Sequence, residues 1–132
     1  MIVLGFTMMY ADLIKEGSIV TDDNTLLEWQ DDTQMLSLSW EESLNMCENL
    51  TLGEHSDWRV PNLNELKTIV DRLKVYPAIS TEFENSDNEK YWSSTTYEGD
   101  KLLAWGVNFY NGSTVFANKK TSLSIRCVRA GK

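Results

Sequence analysis

The stretch from Asp57 to Leu66, Asp-Trp-Arg-Val-Pro-Asn-Leu-Asn-Glu-Leu, constrains this chain more than any other, because it dictates where an extended segment turns into a helix. Pro61 cannot lie inside a helix and holds Val60 in extended geometry. Asn62 offers its side-chain oxygen to an otherwise orphan amide. Glu65, three residues on, completes an Asn-x-x-Glu relative of the capping box, so a helix starts at Leu63. Val60 or Pro61 packed on Leu66 would act as a hydrophobic staple and set the entry angle. Leu63, Leu66, Ile69, Val70 and Leu73 recur at helical spacing, which predicts one apolar, buried face running on to Leu73.

Upstream, Ser18–Asp22 and Leu26–Gln30 read as two short strands joined around the turn-rich Asp22-Asp23-Asn24. Ser39 with Glu42 forms a Ser-x-x-Glu capping box, and Trp40, Leu44, Cys47 and Leu50 mark the buried stripe of a first helix. Gly53 to Ser56 closes that helix, so the first half reads strand, strand, helix, helix. From Val75 the pattern loosens, and residues 82–89 form an acidic loop with Phe83 as its one aromatic anchor. Tyr91–Tyr97, Leu102–Tyr110, Ser113–Asn118 and Leu123–Val128 then read as strands of an antiparallel sheet, with Asn111-Gly112 as a hairpin turn. Trp105, Val107 and Phe109 would share one face of that sheet, and Leu123, Ile125 and Cys127 one face of its last strand.

A chain of 132 residues is the length of one domain. Residues 1–17 are set apart as an N-terminal segment, a strand or a trimmed leader, and residues 18–132 form the domain. Met1 to Ala11 is apolar but lacks a basic leading region and is too short to cross a bilayer, so no membrane insertion is expected. With 42% hydrophobic residues and five tryptophans the chain is a packed globular one. Twelve basic against twenty acidic residues give a formal charge of −8, which opposes nonspecific binding to nucleic acid, anionic lipid or sulfated glycan.

Asp57-Trp58-Arg59-Val60-Pro61-Asn62-x-x-Glu65-Leu66 resembles the central motif of the DUF1566 family, the domain found at the C-terminus of the Legionella collagen-like adhesin. Ile19-Val20-Thr21-Asp22 with Leu27-Glu28-Trp29-Gln30, and then Trp40-Glu41-Glu42 leading to Cys47, resemble its opening pieces. Pro77-Ala78-Ile79, Tyr91-Trp92-Ser93-Ser94-Thr95, Ala104-Trp105-Gly106-Val107-Asn108-Phe109 and Ile125-Arg126-Cys127-Val128-Arg129 follow in the family's order, so the resemblance spans Ser18 to Arg129. It implies a bacterial, extracytoplasmic adhesion domain that is secreted, periplasmic or on the cell surface, and by analogy with the Legionella relative a homotrimer.

Cys47 and Cys127 fit no two-cysteine metal motif. If they pair they close a loop of about 80 residues, which the chain-entropy model rates at roughly 4.5 kcal/mol at most. Two buried thiols in a cytosolic protein are the alternative. A bridge from the first helix to the last strand resembles the long-range disulfide of C-type lectins, as does the order of elements. The fold class expected is therefore α+β and C-type-lectin-like, with two helices packed on an antiparallel sheet and a long irregular loop region.

His55 is the only histidine, and no nucleophile is placed near it, so it reads as a solvated loop residue rather than part of a catalytic triad. The formylglycine-generating enzymes, similar in fold, suggest an oxidoreductase, but their chemistry resembles that of closely placed cysteines, and Cys47 and Cys127 read as structural. No enzyme, cofactor or metal is expected. The Glu-Pro-Asn-like and Trp-Asn-Asp-like calcium motifs of sugar-binding lectins are absent, and Asp22-Asp23-Asn24 and Glu84 to Glu89 read as solvated acidic loops. What remains is recognition: Tyr91, Tyr97, Asn108, Tyr110 and Asn111 lie in or beside the second-half sheet, where aromatic faces stack on sugar rings or anchor protein contacts and amides both donate and accept. Trp58, Trp92 and Trp105 are assigned to the core with Pro61, Asn62 and Glu65 as framework. Arg59 and Arg126 are expected to pair with internal carboxylates such as Asp57 or Glu65. The expected function is a non-catalytic recognition or adhesion module binding glycan or a surface protein through loops between Val75 and Asn118. A structural oligomerisation domain, marked by exposed aromatics at a symmetric interface, is the competing expectation.

Overall fold

The structure, a computed structural model, describes residues 13–34, 36–86 and 89–131. In chain order its elements are β1 (Leu13–Glu16), β2 (Ile19–Asp22), β3 (Leu27–Gln30), β4 (Ser37–Leu38), α1 (Trp40–Glu48), α2 (Leu63–Lys67), β5 (Lys90–Thr96), β6 (Leu103–Asn108), β7 (Ser113–Asn118), β8 (Leu123–Ser124) and β9 (Val128–Ala130). The expected N-terminal strand over Met1 to Ala11 lies outside the described residues; β1 begins just after it.

The strands form two sheets, where the sequence pattern predicted one antiparallel sheet beside a hairpin. One has the order β1-β2-β3-β9, the other β4-β8-β5-β6-β7. Both ladders are antiparallel except where β5 meets β8 in a parallel contact, Tyr91 opposite Ser124. The β2–β3 turn follows from Asp22, whose buried side chain accepts the backbone N–H of Asn24 at 2.8 Å and of Thr25 at 3.3 Å. The segment read as one strand, Leu123–Val128, divides in two. Between β8 and β9 the chain crosses from one sheet to the other, because Arg126 turns inward to a carboxylate and Cys127 is bonded to α1. Gln30 holds the crossing on both sides: its N–H donates to Cys127 O, and its Oε1 accepts the Cys127 N–H. The described architecture is mixed α/β, with two sheets, two short helices and no closed barrel.

α1 is capped as its sequence predicts. Ser39 accepts the Glu42 N–H and Glu42 reaches back to the Ser39 N–H, which holds the Glu42 carboxyl below its ordinary range. Its inward face carries Ser43 and Cys47, and Cys47 is bonded to Cys127 with both residues fully buried.

α2 has its capping box as well, but it stops at Lys67 instead of running on through the apolar positions to Leu73. Thr68, Ile69 and Val70 are β-branched, and the chain there takes β-type bonds instead. Val70 bridges Ile79, and the Asp71 N–H donates to Ala78 O. Leu73 consequently lies 91% exposed, whereas Leu66 and Ile69 stay in the core. Two apolar clusters result. One gathers Trp29, Leu66, Ile79, Tyr91 and Phe109 beneath α2. The other surrounds the disulfide with Trp58, Trp92 and Ile125.

Candidate functional site

The motif Asp57–Leu66 joins three parts of the fold. Trp58 is buried, and its Nε1 donates to the carbonyls of Leu52 and His55, closing the loop that carries His55, itself exposed. The Arg59 backbone makes a two-way bridge with Val128 of β9, at 2.9 and 2.8 Å. Pro61 O accepts the Ser94 N–H of β5. Arg59 then grips Glu65 in a two-bond fork, Nη1 to Oε1 at 2.7 Å and Nη2 to Oε2 at 2.8 Å, while Glu65 Oε1 also accepts the Asn62 N–H. The Arg59 guanidinium holds the Glu65 carboxyl below its usual range, and Glu65 raises Arg59 in return. Asp57 pairs not with Arg59 but with Arg129, which also reaches Glu28 at 2.7 Å. Arg129 therefore holds the Asp57 carboxyl down.

Arg126 finds a carboxylate the sequence did not single out. Its Nη1 donates to Asp31 Oδ1 at 3.2 Å, and its Nη2 to Asn85 O and Ser86 Oγ. The buried Asp31 also takes Lys15 Nζ at 2.8 Å and the amides of Glu84 and Asn85. Burial pushes the Asp31 carboxyl up, but Lys15, the two amides and Arg126 outweigh it and leave the group below its ordinary value. Phe83, buried edge-on against Trp29, completes the anchor of the acidic loop. The cleft beside Arg126, lined by Gln30, Asp32, Gln34 and Asn85, is no larger than a water molecule, so this network is framework rather than a ligand pocket.

The residues expected on one ligand face separate into three places. Tyr91 is in the core, edge-on to Phe109, and presents no face to solvent, which corrects the expectation for it. The reason is the alternation of β5, which turns Tyr91 toward α2 together with Val107 of β6. Tyr97 sits at the far end of β5, stacked on Phe116 at 4.6 Å, with Trp105 edge-on to both rings. Trp105, expected in the core, is thus half-buried, packed in a surface cluster with Tyr97 and Phe116.

Tyr110, Asn108 and Asn111 stay together, at the other end of β6, about 20 Å away at the rise of an extended strand. Tyr110 packs at 4.4 Å against Tyr76, a residue the sequence reading passed over, and the Tyr76 N–H donates to Tyr110 O. Both rings are about half exposed, with Leu73 and Val75 exposed on the same loop. The side-chain hydrogen bond from Tyr76 raises the Tyr110 phenol above its ordinary range. Asn108 Oδ1 accepts the Tyr110 N–H and Asn111 Oδ1 accepts the Ser113 N–H. Both amide oxygens serve the turn, which leaves the Nδ2 groups as its side-chain donors. Gly112, at φ +85°, lets the turn close against Val70 and Ala78, where a Cβ would sit 3.0 Å from Val70 Cγ1. The signal that could have revealed Tyr76 was its place before Pro77, which marks a turn opposite the Asn111-Gly112 turn.

Fold and surface together define a small disulfide-stapled α/β domain that exposes the rings of Tyr76, Tyr110 and Phe116. Among known families, the model of the Lcl C-terminal domain matches residues 18–129, and the chain belongs to that family. The match runs between the two residues that bound the motif resemblance, Ser18 and Arg129. No curated protein matches the chain. Membership suggests a bacterial adhesin-like domain and, with the disulfide, an extracytoplasmic location. No described helix is long and apolar enough to cross a membrane.

Proposed function

We propose that this chain is a non-catalytic recognition module that binds a glycan through the Tyr76–Tyr110 surface, on a scaffold of the C-type-lectin kind. The observation that carries the reading is the exposed Tyr76–Tyr110 pair, fixed by the bond from the Tyr76 N–H to Tyr110 O just past β6 and flanked by the side-chain amides of Asn108 and Asn111. Aromatic faces beside amide donors match a sugar ring, which has apolar C–H faces and a hydroxyl rim. The bridge from α1 to the segment before β9 supports the lectin-type scaffold. A formal charge of −8 favours neutral over sulfated glycans. Cys47 and Cys127 are joined to one another, which leaves no thiolate for cysteine-based oxidation. If the partner is a surface protein instead, the same exposed aromatics anchor it.

The test is binding of the oxidised domain to neutral and sulfated glycan panels, with calcium and with chelator. We expect saturable, chelator-insensitive binding to a narrow neutral set. Tyr110→Ala and Tyr76→Ala should each weaken it about tenfold, equivalent to about 1.4 kcal/mol, and His55→Ala should leave it unchanged. Binding that survives both tyrosine variants would remove the site from this surface. Silence across the panel would shift the reading to a protein partner.

A further inference from the structure

We propose that β7 is a docking edge for a second copy of this chain, the two β7 strands pairing antiparallel about Val115 into one continuous sheet. The inference goes beyond the glycan reading and does not depend on it.

β7 is the last strand of its sheet, and no described residue pairs with its outer edge. The ladder to β6 sets which groups face outward. The Lys119 N–H donates to Leu102 O, and the register steps by two along the strand, so Ser113, Val115 and Ala117 bond to β6. The N–H and C=O groups of Thr114 and Phe116 therefore point away from the sheet.

Sheet edges in native proteins are kept short, charged, bulged or covered, because an open edge templates pairing. The other edges described here follow that rule. β4 is two residues long, β1 carries Lys15 and Glu16, and β9 is three residues long with Arg129 and a bridge to Arg59 beyond it. β7 breaks it. It has six residues, Ser-Thr-Val-Phe-Ala-Asn, with no charge, no proline and an unbroken register, and Phe116 is half exposed upon it.

A second β7 is the occupant that this edge fits. A twofold axis at Val115 sets Thr114 opposite Phe116 of the other copy, and Phe116 opposite its Thr114. Each outward N–H and C=O then meets its complement, and the two Phe116 rings are diagonal neighbours on one face. The flanking charge selects the same arrangement. Lys119 and Lys120 follow the strand, whereas the turn before it, residues 109–112, is uncharged. Antiparallel pairing seats the lysines of one copy beside the uncharged turn of the other, while parallel pairing would set four lysines side by side. One six-residue seam buries less than a standard interface, so association should lie in the micromolar to millimolar range.

Sedimentation and backbone amide exchange across that concentration range test the proposal on the full chain. The expected result is a monomer–dimer equilibrium in which the Thr114 and Phe116 amides gain protection as the dimer fills, while those of Val115 and Ala117 are protected throughout. Thr114→Pro, which removes an outward donor and no β6 bond, and Thr114→Lys, which charges the edge, should both keep the chain monomeric; Leu73→Ser should not. A chain monomeric at every concentration, a trimer, a dimer that survives both Thr114 variants, or Thr114 and Phe116 protection independent of concentration would each overturn it.

Discussion

Asn62 shows how much of this fold turns on one polar side chain. It accepts the Glu65 N–H at 2.8 Å, and Glu65 in turn accepts from Asn62 and from Arg59. Asn62→Ala should cost about 1 kcal/mol of unfolding free energy in urea titration, whereas Asn64→Ala, on the exposed side of the same turn, should cost little. The Arg59 fork adds less, since that side chain is 44% exposed and screened by solvent. Asp31 is the opposite case, with its side chain fully buried against Arg126 and Lys15. Asp31→Asn leaves Arg126 without its carboxylate and should destabilise by about 3 kcal/mol. The native Asp31 carboxyl lies below its unfolded value, so its contribution is present above about pH 4 and is lost as pH falls through the native value. Asp57 and Glu65 act in the same direction. Unfolding followed across the acid range should show stability falling as these groups take up protons, and Asp31→Asn should flatten that slope.

Among the elements, α1 and the crossing between β8 and β9 depend on one another through the disulfide. Replacing Cys47 and Cys127 together by Ala should lower stability by about 4 kcal/mol in denaturant melts, because the loop released spans most of the domain. Little loss would mean that the apolar cluster around the bridge suffices to hold α1 in place. α2 is legible in sequence at its start and not at its end. Asn62 and Glu65 mark the first turn by local chemistry alone. The apolar spacing that continued to Leu73 misled, because Ile69 is buried and Val70 half-buried where Val70 bridges Ile79, a contact nine residues distant that no helical period encodes. The strand read over Leu123–Val128 failed for a like reason: its alternation is that of a strand, but Arg126 is drawn to Asp31 and the chain changes sheets there.

Over the whole molecule, the α and β content, both helix starts, the β2–β3 hairpin and β7 could be read from capping residues, alternation and turn chemistry, all of them local interactions that act whatever the rest of the chain does. The candidate surface was only half legible. Tyr110, Asn108 and Asn111 were visible as polar and aromatic residues around a Gly turn, but Tyr91 carries the same chemistry and is buried, while Tyr76, within the Val75–Asn118 loops but not singled out, is exposed. Which aromatic faces water depends on what covers it: Tyr91 packs in the cluster with Leu66 of α2, whereas Trp105 meets the half-exposed ring of Phe116 and that of Tyr97 on its surface side. By itself, then, the sequence determined where helices begin, where hairpins turn and which family motif organises the chain. The tertiary structure alone decided the division into two sheets, the partner of each buried charge and the outward face of Tyr76, Tyr110 and Phe116, because those depend on contacts between residues far apart in the chain, whose pairing no local period records.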